Sequence, residues 1–339
     1  MATDETLPIS VLTGFLGSGK TTFLRRVLAA PDMAETAVVI NEFGAVGLDH
    51  LLVEASPDDV VQLPGGCLCC AVRQDLVRTL HRLLARRAEG LRVRRLVVET
   101  SGLAEPAPIL YTLAADPYLE RALRFAAVLT LVDAVAGLAT LDRHAEATAQ
   151  AVVADRLALS KTDLAAPPPA LTERLLALNP SAEITDTRAL GDPAQALFAP
   201  VPPARPRRRL FAAPASHTHG ITSFALTLRR RMSRLDFARA LGGLARERGE
   251  DLLRVKGIVL FADTTRPAAI HAVQHTLYPP DWLDACPEGI GAGRLVFITR
   301  DIGADEVLAR FAAGDPALLG VDAPRAVPDS PPGATGGAR

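Results

Sequence analysis

Apolar residues in the first two hundred positions fall into two alternating patterns. Short continuous apolar runs occupy 8–13, 37–41, 60–63, 95–99, 126–132, 156–160 and 182–185, as expected of strands buried on both faces. Between them, apolar residues recur at helical spacing over 22–29, 73–87, 106–113 and 169–178. Strands alternating with helices predict an α/β unit, a mainly parallel sheet flanked by helices, with ligands at the carboxyl ends of the strands. After Phe198 the texture changes to Ala199-Pro200-Val201-Pro202-Pro203-Ala204-Arg205-Pro206, followed by three arginines and a polar stretch containing His217 and His219. That composition predicts a linker over 199–220,. Beyond it the pattern predicts strands at 221–228, 253–261, 268–274 and 295–299 and helices at 233–248 and 304–312, with a hairpin turn at Thr264–Pro267. This is a small C-terminal α+β domain over 221–318, and the Pro-, Gly- and Ala-rich residues 319–339 predict a disordered tail,.

Composition narrows the function classes. The formal net charge of −1 over 339 residues argues against nucleic acid or an anionic membrane as the main partner,. No run approaches the ~18 apolar residues of a membrane span. The acidic start, Met1 to Thr6, enters the first strand without the features of a secretory signal, so the cytoplasm is the expected compartment,. Three of the four cysteines crowd at Cys67, Cys69 and Cys70, which suits metal binding or redox chemistry better than a disulfide framework,. The basic residues are almost all arginine; lysine occurs only at Lys20, Lys161 and Lys256.

Gly14-Phe15-Leu16-Gly17-Ser18-Gly19-Lys20-Thr21 lies between the first strand and the first helix. A glycine loop in that setting curls backbone N–H groups around phosphate, aided by the helix N-terminus. Lys20 would reach the β- and γ-phosphates, the Thr21 hydroxyl would hold Mg²⁺, and Thr22 continues the binding segment. An ammonium in so tight a loop is not replaceable by guanidinium, which accounts for one of the few lysines. Leu96-Val97-Val98-Glu99 followed by Thr100-Ser101-Gly102 reads as the second nucleotide element. Glu99 would orient the Mg²⁺ shell, and the Gly102 amide would meet the γ-phosphate and swing on hydrolysis. Ser160-Lys161-Thr162-Asp163 ends a strand and resembles a guanine-recognition element, with the Asp163 carboxylate accepting from guanine N1–H and the exocyclic amine,. The nucleotide is therefore read as GTP. A P-loop kinase is disfavoured by the lack of a lid or acceptor site.

In Gly65-Gly66-Cys67-Leu68-Cys69-Cys70 three soft sulfurs sit at a helix start, where thiolate is favoured,. They suit Zn²⁺, Cu⁺ or Co²⁺, with a redox pair as the rival reading. In the loop from Asn41 to His50, Glu42 or His50 could complete such a site, and Asp49 could face Mg²⁺ or the attacking water. His271 and His275 would share a face of one strand and read as core or surface residues; Cys286 beside Pro287 reads as structural.

Taken together, GFLGSGKTT, NEFGAVGLDH, GGCLCC, ETSGLAEP, SKTD and the C-terminal RVKGIV and AVQH make the chain resemble the CobW family of P-loop GTPases, from Leu7 to about Ala313. The resemblance implies a GTPase domain over 1–198 and metal binding by Cys67, Cys69 and Cys70. It further implies Mg²⁺-dependent hydrolysis and delivery of Zn²⁺, or Co²⁺, to a client metalloprotein, with a GTP-dependent homodimer as one assembly. With no water-positioning Gln or evident arginine finger in the sequence, slow intrinsic turnover is expected,. Ser160 stands where the family commonly has Asn, and Ala45 where many members carry Glu. A GTP-dependent regulatory or redox-sensing module is the alternative function.

Overall fold

The computed structural model describes residues 6–41, 60–62, 71–190, 192–199, 220–287, 290–312 and 319–326. In chain order the first half runs β1 (Leu7–Gly14), α1 (Lys20–Leu28), a short 3₁₀ turn (Pro31–Met33), β2 (Thr36–Asn41), β3 (Val60–Gln62), α2 (Ala71–Ala88), β4 (Arg95–Thr100), α3 (Pro106–Ala115), α4 (Pro117–Ala122), β5 (Leu123–Asp133), α5 (Gly137–Arg143), α6 (Ala145–Val153), β6 (Arg156–Ser160), α7 (Pro169–Leu178), β7 (Glu183–Asp186) and α8 (Pro193–Phe198). The seven strands pair in the order β3-β2-β4-β1-β5-β6-β7, and every pairing is parallel. The central strands are buried on both faces, so their sequences carry apolar runs without alternation,. Leu12, Val97, Leu129 and Ala158 from the sheet pack with Phe23, Leu24 and Val27 of α1 and Leu197 of α8. Each buried Leu, Val or Phe side chain among these contributes about 1.5–3 kcal/mol of apolar transfer. Pro106 opens α3, where its missing N–H costs no helical bond,. Asp116 and Asp192 cap α4 and α8, each accepting from the backbone N–H groups two and three residues on,.

The second half comprises β8 (Ile221–Leu228), α9 (Arg234–Arg248), β9 (Arg254–Val259), β10 (Ala268–Val273), β11 (Thr276–Leu277), β12 (Asp281–Trp282), β13 (Gly293–Arg300), α10 (Ala304–Ala312) and β14 (Leu319–Ala326). Its sheet is antiparallel, in the order β11-β10-β9-β13-β8-β14, with β12 against β10. Ser233 caps α9 by accepting from Asp236 N–H,. Phe224 stacks on Phe297 at 5.4 Å, and Phe311 meets Phe297 and Phe237 edge-on, so α9 and α10 bury aromatic surface against one sheet face,.

The chain divides into two compact units: Met1–Gly137, Glu146–Leu171 and Ala182–Pro202 form one; Leu138–Ala145, Thr172–Ser181 and Pro203–Arg339 form the other. The fold class expected from the sequence is observed in both. The tail is a correction, because residues 319–326 pair with β8 instead of beginning a disordered segment. Gly320 and Pro324 read as breakers, but Pro324 falls in the register shift between Asp322 and Arg325, where a missing N–H is tolerated,. The outer edge of β8 supplies the partners the backbone needs. His275 is a second correction: it lies in the turn between β10 and β11, with Nδ1 2.9 Å from Ala245 O, and not on a strand face shared with His271. Among the described residues no helix is long and apolar enough to cross a membrane.

Candidate nucleotide site

β1 lies in the middle of the parallel sheet and delivers the glycine loop to its carboxyl edge. Gly14, Gly17 and Gly19 all have positive φ, at 145°, 71° and 90°. At Gly14 space is also closed: a Cβ would lie 2.5 Å from Leu131 O and 2.7 Å from Ser18 Oγ. Gly19 forms the left-handed N-cap of α1 and offers no side chain, so the first N–H groups of the helix face the loop without a side-chain acceptor. This is the positive end of a helix opening onto a backbone cradle, an anion site by construction. Lys20 folds back over it, its Nζ donating to Gly14 O at 2.7 Å and Phe15 O at 3.3 Å. Thr22 is exposed on the first turn of α1.

β4 runs beside β1 with Glu99 in register with Leu12. Thr100 Oγ1 donates to Thr13 Oγ1 at 2.8 Å and joins the two strand ends. Glu99 is buried, and its Oε1 accepts from Thr21 Oγ1 at 3.4 Å. A hydroxyl and a carboxylate oxygen meeting at the mouth of a phosphate cradle are the hard-oxygen donors that fit Mg²⁺. The chain then turns: Ala104 N–H donates to Ser101 O at 3.0 Å. Gly102 presses against the loop so closely that a Cβ would come within 2.7 Å of Leu16 N and 2.8 Å of Leu16 Cα. Behind this turn lies Gln150 of α6, whose Nε2 donates to Gly102 O at 3.1 Å and Ala104 O at 3.0 Å.

The third element ends β6. Ser160 Oγ donates to Ser18 O at 2.7 Å, so this short hydroxyl ties the base-recognition strand to the phosphate loop. Lys161 takes a left-handed φ of 59° and pairs with Asp133 Oδ2 at 2.6 Å. Burial opposes ionisation of Asp133, but its bonds from Lys161, Ala136 N–H and Val135 N–H together outweigh that and hold the carboxyl below its usual range,. Thr162 Oγ1 donates to Asp186 Oδ1 at 2.9 Å at the end of β7. With the two preceding residues anchored, Asp163 stands exposed on the loop and can accept from a base.

The structure thus brings Gly14, Gly17, Ser18, Gly19, Lys20, Thr21, Glu99, Gly102 and Ser160 to one edge of the sheet, with Lys161 and Asp163 following Ser160. Glu42, Asp49, His50, Cys67, Cys69, Cys70, His217 and His219 lie outside the described residues. Asn41 and Gln62, where the described chain stops before the Glu42 and cysteine segments, stand at the carboxyl ends of β2 and β3. Those strands pair with each other, and β2 pairs with β4 at Ile40↔Glu99. Among the described residues no three His, Cys, Asp or Glu side chains are grouped to hold a metal ion.

Sequence reasoning passed over Asp133, although a strand ending in an acid is the same signal that identified Glu99. It also passed over Gln150, for which no local pattern exists. A third feature is a rim of exposed apolar side chains: Leu16 (57% exposed), Leu103 (44%), Val135 (55%) and Leu164 (71%). They stand on the loops after β1, β4, β5 and β6, four adjacent strands.

Comparison with known proteins places the chain. The model of the CobW/HypB/UreG nucleotide-binding domain matches residues 8–186, and that of the cobalamin synthesis protein cobW C-terminal domain matches 221–314. The zinc chaperone YjiA of Escherichia coli is 31% identical over 316 residues, which cover 90% of this chain and 98% of the relative. The zinc chaperone CobW of Pseudomonas aeruginosa is 36% identical over 156 residues, 43% of this chain and 40% of the relative. The crystal structure of Zn(II)-bound YjiA GTPase from E. coli superposes with a TM-score of 0.63 at 25% identity, covering 90% of this chain and 98% of that one.

Proposed function

The chain belongs to the CobW/HypB/UreG family of nucleotide-binding proteins, and from that premise we propose that it is a cytoplasmic GTP-hydrolysing carrier that passes zinc to a client metalloprotein. The observation that carries the nucleotide half is the meeting of Lys20, Thr21 and Glu99 at an uncapped helix start, with Gly102 packed against the loop.

In this reading Lys20 exchanges the carbonyls of Gly14 and Phe15 for phosphate oxygens, and the loop N–H groups take the rest of the charge. Thr21 and Glu99 would hold Mg²⁺, which when bound neutralises charge on the phosphates. Asp163 accepts from guanine; Ser160 and Lys161 support it through Ser18 and Asp133. Asp49 is assigned to the attacking water. The Ser101–Ala104 turn, lying against Leu16, responds to the terminal phosphate.

Zinc is the cargo, held by the thiolates of Cys67, Cys69 and Cys70 with Glu42 as a fourth donor. Co²⁺ is accommodated by the same donors. Structural zinc sites bind by about 10–16 kcal/mol, too tightly for release without a switch. Moving a two-state site from mostly closed to mostly open takes ~5.5 kcal/mol of differential binding. The strand order supports such coupling, because the segment carrying Glu42 leaves β2 beside Glu99. The apolar rim on four neighbouring loops supports a protein contact over the nucleotide, by the client or by a second copy,.

The test is titration of the reduced full chain with Zn²⁺ and Co²⁺, with and without a non-hydrolysable GTP analogue. Stoichiometric binding whose affinity depends on the nucleotide, lost on Cys69→Ala, is the expected result. Binding indifferent to nucleotide would overturn the carrier reading. A disulfide formed without metal uptake would replace it with redox sensing.

A further inference from the structure

Gln150 is almost wholly buried on α6, and none of the steps above uses it. Its amide nitrogen donates to the carbonyls of Gly102, inside the turn that follows Glu99, and Ala104, at its end. Because both partners are carbonyls, only the NH₂ end of the amide can face them. Its backbone carbonyl accepts from Thr130 Oγ1 at 2.8 Å, so the residue is pinned to β5. The same turn touches the phosphate loop through Gly102 and Leu16. It is therefore held at two places, by the loop that grips phosphate and by Gln150. Gln150 Oε1 is buried and accepts from nothing among the described residues. Two donated bonds are thus offset by a buried acceptor left unpaired, which keeps the latch near balance instead of locked.

We infer that Gln150 is a positioning residue for hydrolysis: it sets the register of the Ser101–Ala104 turn against the phosphate loop, so that the presence or loss of the terminal phosphate is transmitted to that turn. The inference rests on the GTPase reading. α6 leads through Ala154 and Asp155 directly into β6 and the base-recognition loop, so one short segment braces the turn and ends in Ser160. Asp155 fixes that junction, its Oδ2 accepting from Val128 N–H at 2.9 Å.

The test compares the full chain with Gln150→Leu, which removes both donors at similar volume, and Gln150→Glu, which keeps the shape. Single-turnover GTP hydrolysis is measured beside affinities for GDP and a non-hydrolysable GTP analogue. The expected result is a fall in the hydrolysis rate of about tenfold or more, with GDP affinity within about twofold of wild type and a weakened preference for the analogue over GDP. A merely structural role would lower both affinities together and leave that preference unchanged. A wild-type rate in either variant that remains folded, or a loss of GDP affinity as large as the loss of rate, would overturn the inference. Failure of the unsubstituted chain to hydrolyse GTP would instead overturn the reading on which it rests.

Discussion

Replacing Gly102 by alanine isolates the contact between the turn and the phosphate loop. The φ of Gly102 is not positive, so the backbone itself accepts a side chain. The cost comes from space. The new Cβ would meet Leu16 Cδ2 and Leu16 N at 2.7 Å and Leu16 Cα at 2.8 Å. Leu16 is exposed and its Cδ2 can rotate away, but two of the three atoms are backbone. Restoring an ordinary contact of 3.4 Å from 2.7 Å requires a displacement of about 0.7 Å between turn and loop. If the fold absorbs this as strain, stability falls by about 1–3 kcal/mol. If the turn moves instead, its misplacement approaches the ~1 Å that costs on the order of 10²-fold in a positioned reaction. The expected outcome for Gly102→Ala is a 10- to 100-fold slower single-turnover hydrolysis, roughly 1.4–2.8 kcal/mol in barrier. GDP affinity, which depends on Lys20 and the helix start, should change only a few-fold. Hydrolysis at the wild-type rate with an unchanged melting temperature would refute the reasoning, since the turn would then have no functional contact with Leu16.

Two further perturbations address the base-recognition side. Ser160→Ala removes the bond to Ser18 O and leaves a buried carbonyl without that donor; stability should fall by about 1–3 kcal/mol, seen as a lower urea midpoint at unchanged m-value, while Ser160→Thr should retain most of it. A midpoint unchanged in the alanine variant would show that the hydroxyl is not a tie. For Asp133, the folded pKa lies below the unfolded value of about 3.9,. The carboxylate therefore contributes stability that is fully present above the unfolded value and is lost as pH falls through the folded one. Asp133→Asn should flatten the loss of melting temperature as pH falls below about 4, and parallel wild-type and variant curves there would contradict the assignment.

The sheet was legible because its central strands are buried on both faces and so announce themselves as apolar runs,. The edge strands carry shorter runs of the same kind, so that all seven were readable in the sequence. α6 was not, since Ala145-Glu146-Ala147-Thr148-Ala149-Gln150 alternates small residues without an apolar stripe, and burial all round erases the periodicity a helix normally shows,. α4 was missed for its length and its opening proline. β14 was missed because its pairing depends on a free edge elsewhere in the chain, which composition cannot register. Within the site, motif residues were readable because phosphate chemistry demands specific types at fixed spacing. Gln150 acts across 48 residues of chain, and Ser160 across 142, through bonds that exist only once the sheet is built. The substitution of Ser160 for the family's usual Asn looked from the sequence like a change at the base; in the structure its hydroxyl points at the phosphate loop.

The scarcity of lysine has a chemical consequence. Of the three side-chain amines, Lys256 is buried, Lys20 is half-buried over the phosphate cradle, and Lys161 is about one-third exposed beside the base-recognition loop. Arginine, which carries nearly all the remaining positive charge, does not react with amine-directed reagents under mild conditions. Apart from the α-amino group, acylation of this protein is therefore concentrated on the two sides of one site. An ordinary amine-labelling reagent thus becomes a footprinting probe for nucleotide occupancy, with no tag or engineered residue required.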